Sequence, residues 1–221
     1  MNTWRKEYFP EYKANRRKNR DNSDQDWNEI FRILHLVRDE IREYLPYKVI
    51  HLDGVEADDV IGTLTMRTQE FGQDEPIMIV SSDKDFIQLQ KYNNVKQFSP
   101  IQKKMVTDNN PRMYLFNHIM RGDSGDGIPN VLSADDTFVS EGKQTPLRQV
   151  KINEWLDASD RLREVMPEDI YRNYQRNKTL IDLNDIPDEV QESIINSYEE
   201  QSKTPNCLLY TSDAADDVIS V

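Results

Sequence analysis

Pro76-Ile77-Met78-Ile79-Val80-Ser81-Ser82-Asp83-Lys84-Asp85 is the stretch whose reading decides the fold. Four consecutive apolar residues, then two serines and an acidic pair, read as a short buried strand that delivers Asp83 and Asp85 to a loop, with a helix over 85–91. A second unit of the same kind lies upstream: residues 48–52 (Lys-Val-Ile-His-Leu) read as a strand and 56–71 as a helix with an apolar face of Val60, Ile61, Leu64 and Met66. Further strands are expected at 95–98 and 104–106, and strands alternating with helices predict an α/β fold with a mainly parallel sheet. Before these, Trp27, Ile30, Phe31, Leu34, Val37, Ile41, Tyr44 and Leu45 recur at helical spacing, with Ser23 and Asp26 as a capping pair and Pro46 as a stop. Beyond 111 the pattern turns helical, over 111–120, 132–139, 146–158, 160–165, 167–177 and 187–200.

The 221 residues, 37% hydrophobic and 31% charged, suffice for one large or two small folded domains. No run approaches the roughly 18 apolar residues of a membrane span, and no charged-then-apolar leader opens the chain. The single cysteine, Cys207, cannot form an internal disulfide or a thiolate zinc cage, so a bound metal is expected to be held by oxygen and the protein to reside in a reducing cytoplasm. His35, His51 and His118 lack the spacing of a zinc or catalytic set and read as surface or core residues. The net charge of −12 argues against a general nucleic-acid surface, but it is unevenly distributed. Residues 1–20 hold seven basic side chains against two acidic ones, with Trp4, Tyr8, Phe9 and Tyr12 interleaved, which suits an arm that grips phosphates beside a body that concentrates cations.

Three acidic clusters fall at loop-to-helix junctions: Glu56, Asp58 and Asp59; Asp83 and Asp85; Asp123 and Asp126. Each could simply cap a helix or form a turn. The first two follow strands directly, and in open α/β sheets the crevice beyond the strand ends is the usual site, so the clusters are expected to meet there. Seven carboxylates in one crevice repel unless cations neutralise them, and hard divalent ions are the natural partners. Gly122-Asp123-Ser124-Gly125 is not read as a protease nucleophile loop, nor 182–189 as a calcium loop, because the context of neither motif is present.

The stretch Gly54-Val-Glu-Ala-Asp-Asp-Val-Ile-Gly-Thr-Leu64 resembles the signature of the 5′-nuclease family, which includes flap endonucleases and the 5′-nuclease domain of bacterial DNA polymerase I. Val80-Ser-Ser-Asp-Lys-Asp-Phe-Ile-Gln-Leu89 resembles its second acidic motif, and Arg121-Gly-Asp-Ser-Gly-Asp-Gly-Ile-Pro129 its third, which opens a helix–turn–helix that holds duplex DNA. Glu11-Tyr-Lys-Ala-Asn-Arg16 is similar to the start of the arch that admits a single-stranded 5′ end. Residues 140–146, 180–183 and 185–187 resemble the C-terminal region of the ribonuclease H branch of T-even-type phages.

The resemblance implies a PIN-like core over 1–110, with an arch segment at 1–25, then a helical DNA-binding region over 111–205. It implies metal ligation, by two Mg²⁺ or Mn²⁺ ions, at Glu56, Asp58, Asp59, Asp83, Asp85, Asp123 and Asp126. Lys13 and Arg16 are implied to be catalytic phosphate contacts, and substrate binding is expected from Arg5, Lys13, Arg16, Arg17, Lys84 and the backbone N–H groups around Gly125, Gly127 and Ile128. The implied activity is 5′→3′ exonuclease and flap endonuclease action on RNA–DNA and DNA duplexes with 5′ ends or flaps. It belongs to primer removal, by a monomer working with a single-strand-binding protein or clamp and no membrane. The rival reading is a DNA-junction-binding module without catalysis. The family begins with two strands, each ending in an aspartate, and these are expected upstream of Met1, so the chain as written is expected to be inactive. Gly127 stands where the family usually has Asn, and 130–136 replaces the glycine-rich continuation, so monovalent-ion binding is not implied there. Residues 206–221 read as a non-native tail.

Overall fold

The computed structural model describes residues 3–70, 74–140 and 142–203. The expected tail at 206–221 lies outside them. Two helices, α1 (Trp4–Tyr8) and α2 (Ala14–Asp21), form the basic arm, followed by α3 (Trp27–Tyr44) and α4 (Ala57–Glu70). Then come β1 (Ile77–Val80), a 3₁₀ helix (Lys84–Lys91), β2 (Val95–Ser99) and β3 (Lys104–Val106). The remainder is helical: α5 (Pro111–Arg121), α6 (Gln149–Asp157), α7 (Leu162–Val165), α8 (Glu168–Ile181) and α9 (Asp188–Lys203).

Local sequence accounts for most boundaries. Asp26 caps α3 by accepting from Glu29 N at 3.1 Å, and Asn110 caps α5 by accepting from Met113 N, with Pro111 occupying the first turn where no N–H is needed. Asp83 accepts from Asp85 N at 3.0 Å, and so opens a 3₁₀ rather than an α-helix.

Among the described residues the sheet has three strands, in the order β1-β2-β3, and is mixed. β1 runs parallel to β2, Ile77 opposite Val95 and Val80 opposite Phe98. β3 returns antiparallel, Gln97 opposite Val106, because the connection from Ser99 to Lys104 is too short for a parallel crossover. Within β1 only Ile79 is buried while Met78 and Val80 are exposed, so the strand expected to be buried is covered on one face only.

Two expected elements do not form. Residues 48–52 are irregular: the N–H and carbonyl of Val49 pair with the Gln201 side chain of α9 at 2.9 and 3.2 Å, and among the described residues the segment has no neighbouring strand. Residues 132–139 form turns instead of a helix. Asn130 Oδ1 accepts from Leu132 N and Ser133 Oγ, and Asp135 is drawn across to Arg172 and Arg176 on α8, so local and tertiary bonds replace the helical ladder. The helix after the α5 turn is therefore α6, starting at Gln149.

Three apolar clusters hold the fold. Met66, Ile79, Phe86 and Leu89 join α4, the sheet and the 3₁₀ helix, and Leu183 and Ile186 from beyond α8 complete the same cluster. Phe116, Met120, Ile152, Trp155 and Leu162 form a helical core. Phe9 and Tyr12 of the arm pack with Ile119, Ile128, Leu180 and Ile181. Core contacts thus cross the boundary expected near residue 110, and Ile128 and Leu180, which pack against the arm, also line the acidic crevice.

Candidate metal centre

The crevice is built where α4, the 3₁₀ helix and α5 converge. Asp58 stands in the first turn of α4, Asp83 and Asp85 at the start of the 3₁₀ helix, and Asp123 and Asp126 in the turn after α5. The loop after β1 is held by Gln97, a fully buried β2 residue whose Nε2 donates to Ser81 O at 3.0 Å and to Asp83 O at 2.6 Å. Buried Asn177 and Arg176 on α8 hold the other wall, donating to Pro129 O at 2.9 Å each. Arg5, Tyr12, Asp58, Asp85, Asp123 and Asp126 line the pocket between them, over a floor that includes Ile128, Leu180 and Leu183.

The seven carboxylates divide into two sets. Asp59 is fully buried: its Oδ2 accepts from Glu56 N at 3.0 Å and Trp4 Nε1 at 3.1 Å, and its Oδ1 lies 2.7 Å from Arg5. Oδ1 meets that guanidinium as an ion pair without an aligned hydrogen bond. Asp58 and Asp59 are adjacent on a helix, so they are about 100° apart and only one can face the pocket. The expected ligand Asp59 is therefore a helix cap and ion-pair partner.

Glu56 lies 2.5 Å from the Lys13 amine, and its Oε2 accepts from Tyr12 at 2.8 Å and Arg5 at 3.1 Å. Burial pushes its carboxyl up, but Lys13, Tyr12 and Arg5 together outweigh that and hold it below the usual range. Asp126 is reached by Tyr12 at 3.0 Å, Lys13 at 3.5 Å and Arg16. The Tyr12 proton is thus shared between Glu56 and Asp126, and burial with these charges keeps the phenol protonated.

The other set lacks such compensation. Among the described residues, Asp58, Asp83, Asp85 and Asp123 make no ion pair with an arginine or lysine. Burial, with Asp83 beside it, pushes Asp58 up to about 6. Burial pushes Asp85 up to about 7, His118 opposing and Asp83, Asp123 and Asp58 adding to the rise. Asp123 is held low by His118 and by the backbone N–H groups of Asp126 and Gly125. His118 stands between two of these carboxylates, Nδ1 3.4 Å from Asp85 Oδ1 and Nε2 3.5 Å from Asp123 Oδ2. Its expected place on the surface or in the core is corrected: it lies at the site. It was missed because it meets Asp85 only through packing of α5 on the 3₁₀ helix, and no short spacing announces that.

Three further expectations change. Arg5 is buried at 3% exposure, with Nε donating to Leu180 O at 2.9 Å and NH1 between Glu56 and Asp59, so it is a structural cation and not a phosphate contact. The N–H groups of Gly125, Gly127 and Ile128 donate to Asp123 Oδ1, Ser124 O and Asp123 O, so the turn consumes the donors expected to face DNA. Lys84 is exposed beside the carboxylates. The Arg17 side chain lies outside the described residues. Beside Glu56 an open cleft of about 760 Å³ is lined by Lys6, Lys13, Arg16 and Arg20, giving the acidic pocket a basic flank. No helix among the described residues is long and apolar enough to cross a membrane.

A small sheet flanked by helices, with an acidic crevice at its strand ends and a basic flank, defines a metal-ion nuclease architecture. The chain belongs to the 5′-3′ exonuclease family: the family model for the 5′-3′ exonuclease N-terminal resolvase-like domain matches residues 1–114. The model described as T4 RNase H, C terminal, matches residues 109–218. The chain is 36% identical to the ribonuclease H of Enterobacteria phage T4 over 94% of its own length and 69% of that protein's. It is 31% identical to a 5′-3′ exonuclease of Buchnera aphidicola, over 58% of this chain and 44% of the relative. Two phage T5 structures share the fold: the D15 protein co-crystallised with metal ions (TM-score 0.61, 19% identity, 91% of this chain and 82% of that one), and the D15 flap endonuclease in a pseudo-enzyme–product complex with DNA and metal ions (TM-score 0.61, 18% identity, 92% and 81%). At the level of the family, the activity is 5′-3′ exonuclease and flap endonuclease hydrolysis of phosphodiesters.

Proposed function

We propose that the chain is a Mg²⁺-dependent 5′→3′ exonuclease and flap endonuclease of phage type, acting on RNA–DNA and DNA duplexes with 5′ ends or flaps during primer removal in the host cytoplasm. The observation that carries this reading is the split of the carboxylates into a cation-paired set and an uncompensated one. Asp58 and Asp85, with pKa values raised to about 6 and 7, have oxygen ligands and excess negative charge that fit a hard divalent cation. Asp58, Asp83, Asp85 and Asp123 would hold the metal. When bound, the metal supplies Lewis-acid stabilisation of the charge that develops on a phosphoryl group.

The chain's own residues supply the rest. Lys13 and Arg16 border the basic cleft beside these carboxylates, with side chains 20% and 55% exposed, and can donate to a phosphate entering it. Tyr12 spaces Glu56 from Asp126 and so fixes where the Lys13 amine sits. Donors held in place by such partners lose little order when the transition state forms.

The test is cleavage of a 5′-labelled flap duplex with Mg²⁺ and with chelator. The 221 residues are assayed alone and preceded by the N-terminal segment of the phage T4 relative. Mg²⁺-dependent release of the flap, lost in Asp83→Asn, is expected of the extended form. Binding of the flap by both forms with no cleavage by either identifies a junction-binding module instead.

A further inference from the structure

Resting on the reading of the crevice as a divalent-metal centre, we propose that His118 is a nitrogen ligand there. Asp85, His118 and Asp123 then form a mixed nitrogen–oxygen site that takes a borderline transition ion such as Mn²⁺, Co²⁺ or Zn²⁺ in preference to Mg²⁺. One ligand atom from each of the three residues lies within 4.8 Å of the others, and all three residues are half-buried. The 3.5 Å between His118 Nε2 and Asp123 Oδ2 is close to the edge of a tetrahedron with bonds of about 2.0–2.1 Å, about 3.3–3.4 Å. The opposite ring nitrogen faces Asp85 at 3.4 Å, so a carboxylate is available either to ligate beside the imidazole or to orient it.

The position is also built rather than incidental. His118 stands one turn before the end of α5, where its own carbonyl accepts from Gly122 N at 2.8 Å, and the ring is braced edge-on by Tyr114 at a centroid distance of 6.1 Å. An imidazole nitrogen is a softer donor than carboxylate oxygen. It adds affinity along the first-row series while offering little to Mg²⁺, which keeps its waters and favours oxygen. The alternative is that the imidazole serves as an internal counter-charge bridging two carboxylates. It predicts the opposite response to its removal, because a divalent ion would then bind better without it.

The chain has three histidines, and His35 and His51 face each other at 6.5 Å between ring centroids, so they could form a separate nitrogen site. The experiment therefore uses the full chain carrying His35→Gln and His51→Gln as background. Mg²⁺, Mn²⁺ and Zn²⁺ affinities are measured by calorimetry with and without His118→Asn. Pulsed EPR on the Mn²⁺-loaded background reports directly whether histidine nitrogen is coordinated and needs no substitution at 118. The expected result is a nitrogen coupling in the spectrum and a Zn²⁺ affinity about tenfold to a hundredfold weaker in His118→Asn, with Mg²⁺ changed less than threefold. A spectrum without nitrogen coupling, or a variant that binds Zn²⁺ as tightly as the background or more tightly, overturns the proposal. Asp85→Asn and Asp123→Asn separate the two readings. If they weaken all three ions while His118→Asn does not, only the nitrogen ligand is wrong; if they weaken none, the metal-centre reading falls as well.

Discussion

The backbone N–H of Lys13 donates to the carbonyl oxygen of Asp126 at 2.7 Å, which registers the basic arm against the turn that follows α5. Lys13 adopts φ +55°, and this left-handed step turns the chain so that its amine reaches Glu56 while its backbone faces Asp126. An arm that reads in sequence as a phosphate grip is thereby also made a wall of the acidic crevice.

Lys13→Ala is expected to keep the backbone bond and lose the amine. In the chain preceded by the N-terminal segment of the phage T4 relative, single-turnover flap cleavage should fall about 10²–10³-fold, the typical cost of one oriented transition-state donor. Circular dichroism should be unchanged. Equal rates for the two proteins would return Lys13 to a purely electrostatic partner of Glu56.

Arg5 and Arg16 should behave oppositely. Arg5→Ala leaves Asp59 buried without its cation, at side-chain exposures of 4% and 0% for the pair, and is expected to cost about 3–5 kcal/mol in urea unfolding. Arg16, with its side chain 55% exposed, should cost at most about 1 kcal/mol when truncated but should lower the slope of log K for flap binding against log salt by about one. A salt slope that responds to Arg5→Ala in a folded variant, and not to Arg16→Ala, would contradict the assignment of the two cations.

Gly122 and Gly127 sit at φ +66° and +75° at the two ends of the acidic turn. A Cβ on Gly127 would meet Glu11 O at 3.1 Å, so Gly127→Ala should destabilise by about 1–2 kcal/mol, chiefly through the left-handed conformation, and loosen the arm. A Cβ on Gly122 would lie 2.3 Å from Ile128 O and 2.6 Å from Pro129 C, contacts that only a backbone shift can relieve, so Gly122→Ala should be clearly the worse of the two. Equal melting temperatures for the two variants would show that the turn is more pliant than these distances imply.

The metal-free protein should lose stability as pH rises from about 4 to 8. Asp58 and Asp85 release their protons near pH 6 and 7 when folded but near pH 3.9 when unfolded, so the folded state binds more protons in between and is destabilised as pH climbs through that window. His118 acts in the same direction. Burial lowers its pKa, Asp123 and Asp85 raise it further, and the stability it adds below its unfolded value is lost as pH rises through the higher folded one. Glu56 and Asp123, held low, contribute stability that is lost only in acid, as pH falls through their folded values. Scanning calorimetry in chelator should therefore show a maximum near about pH 4. Divalent cation should reverse the slope above pH 6, because its ligands must be deprotonated to bind. Asp85→Asn should raise the metal-free melting temperature at pH 8 and shrink the shift caused by cation. A metal-free protein that grows steadily more stable up to pH 8 would rule out the crowding of uncompensated carboxylates.

Sequence alone determined what depends on neighbours along the chain. Asp26 as a cap, Pro46 as a stop, the apolar run of β1 and the acidic residues placed after it act within a few residues, and each is found at or near its expected place. Only the tertiary structure decided which charges face one another. Asp58 and Asp59 are indistinguishable as letters, yet one helical step sends the first toward the pocket and the second to Arg5 and Trp4. Residues 48–52 have the composition of a strand, but a strand exists only through a partner, and Gln201 satisfies Val49 instead. His118 joins Asp85 because α5 packs against the 3₁₀ helix, a long-range contact that no short spacing announces. Local chemistry is written in short spacings; the sign of the field at the site comes from packing that brings distant segments together.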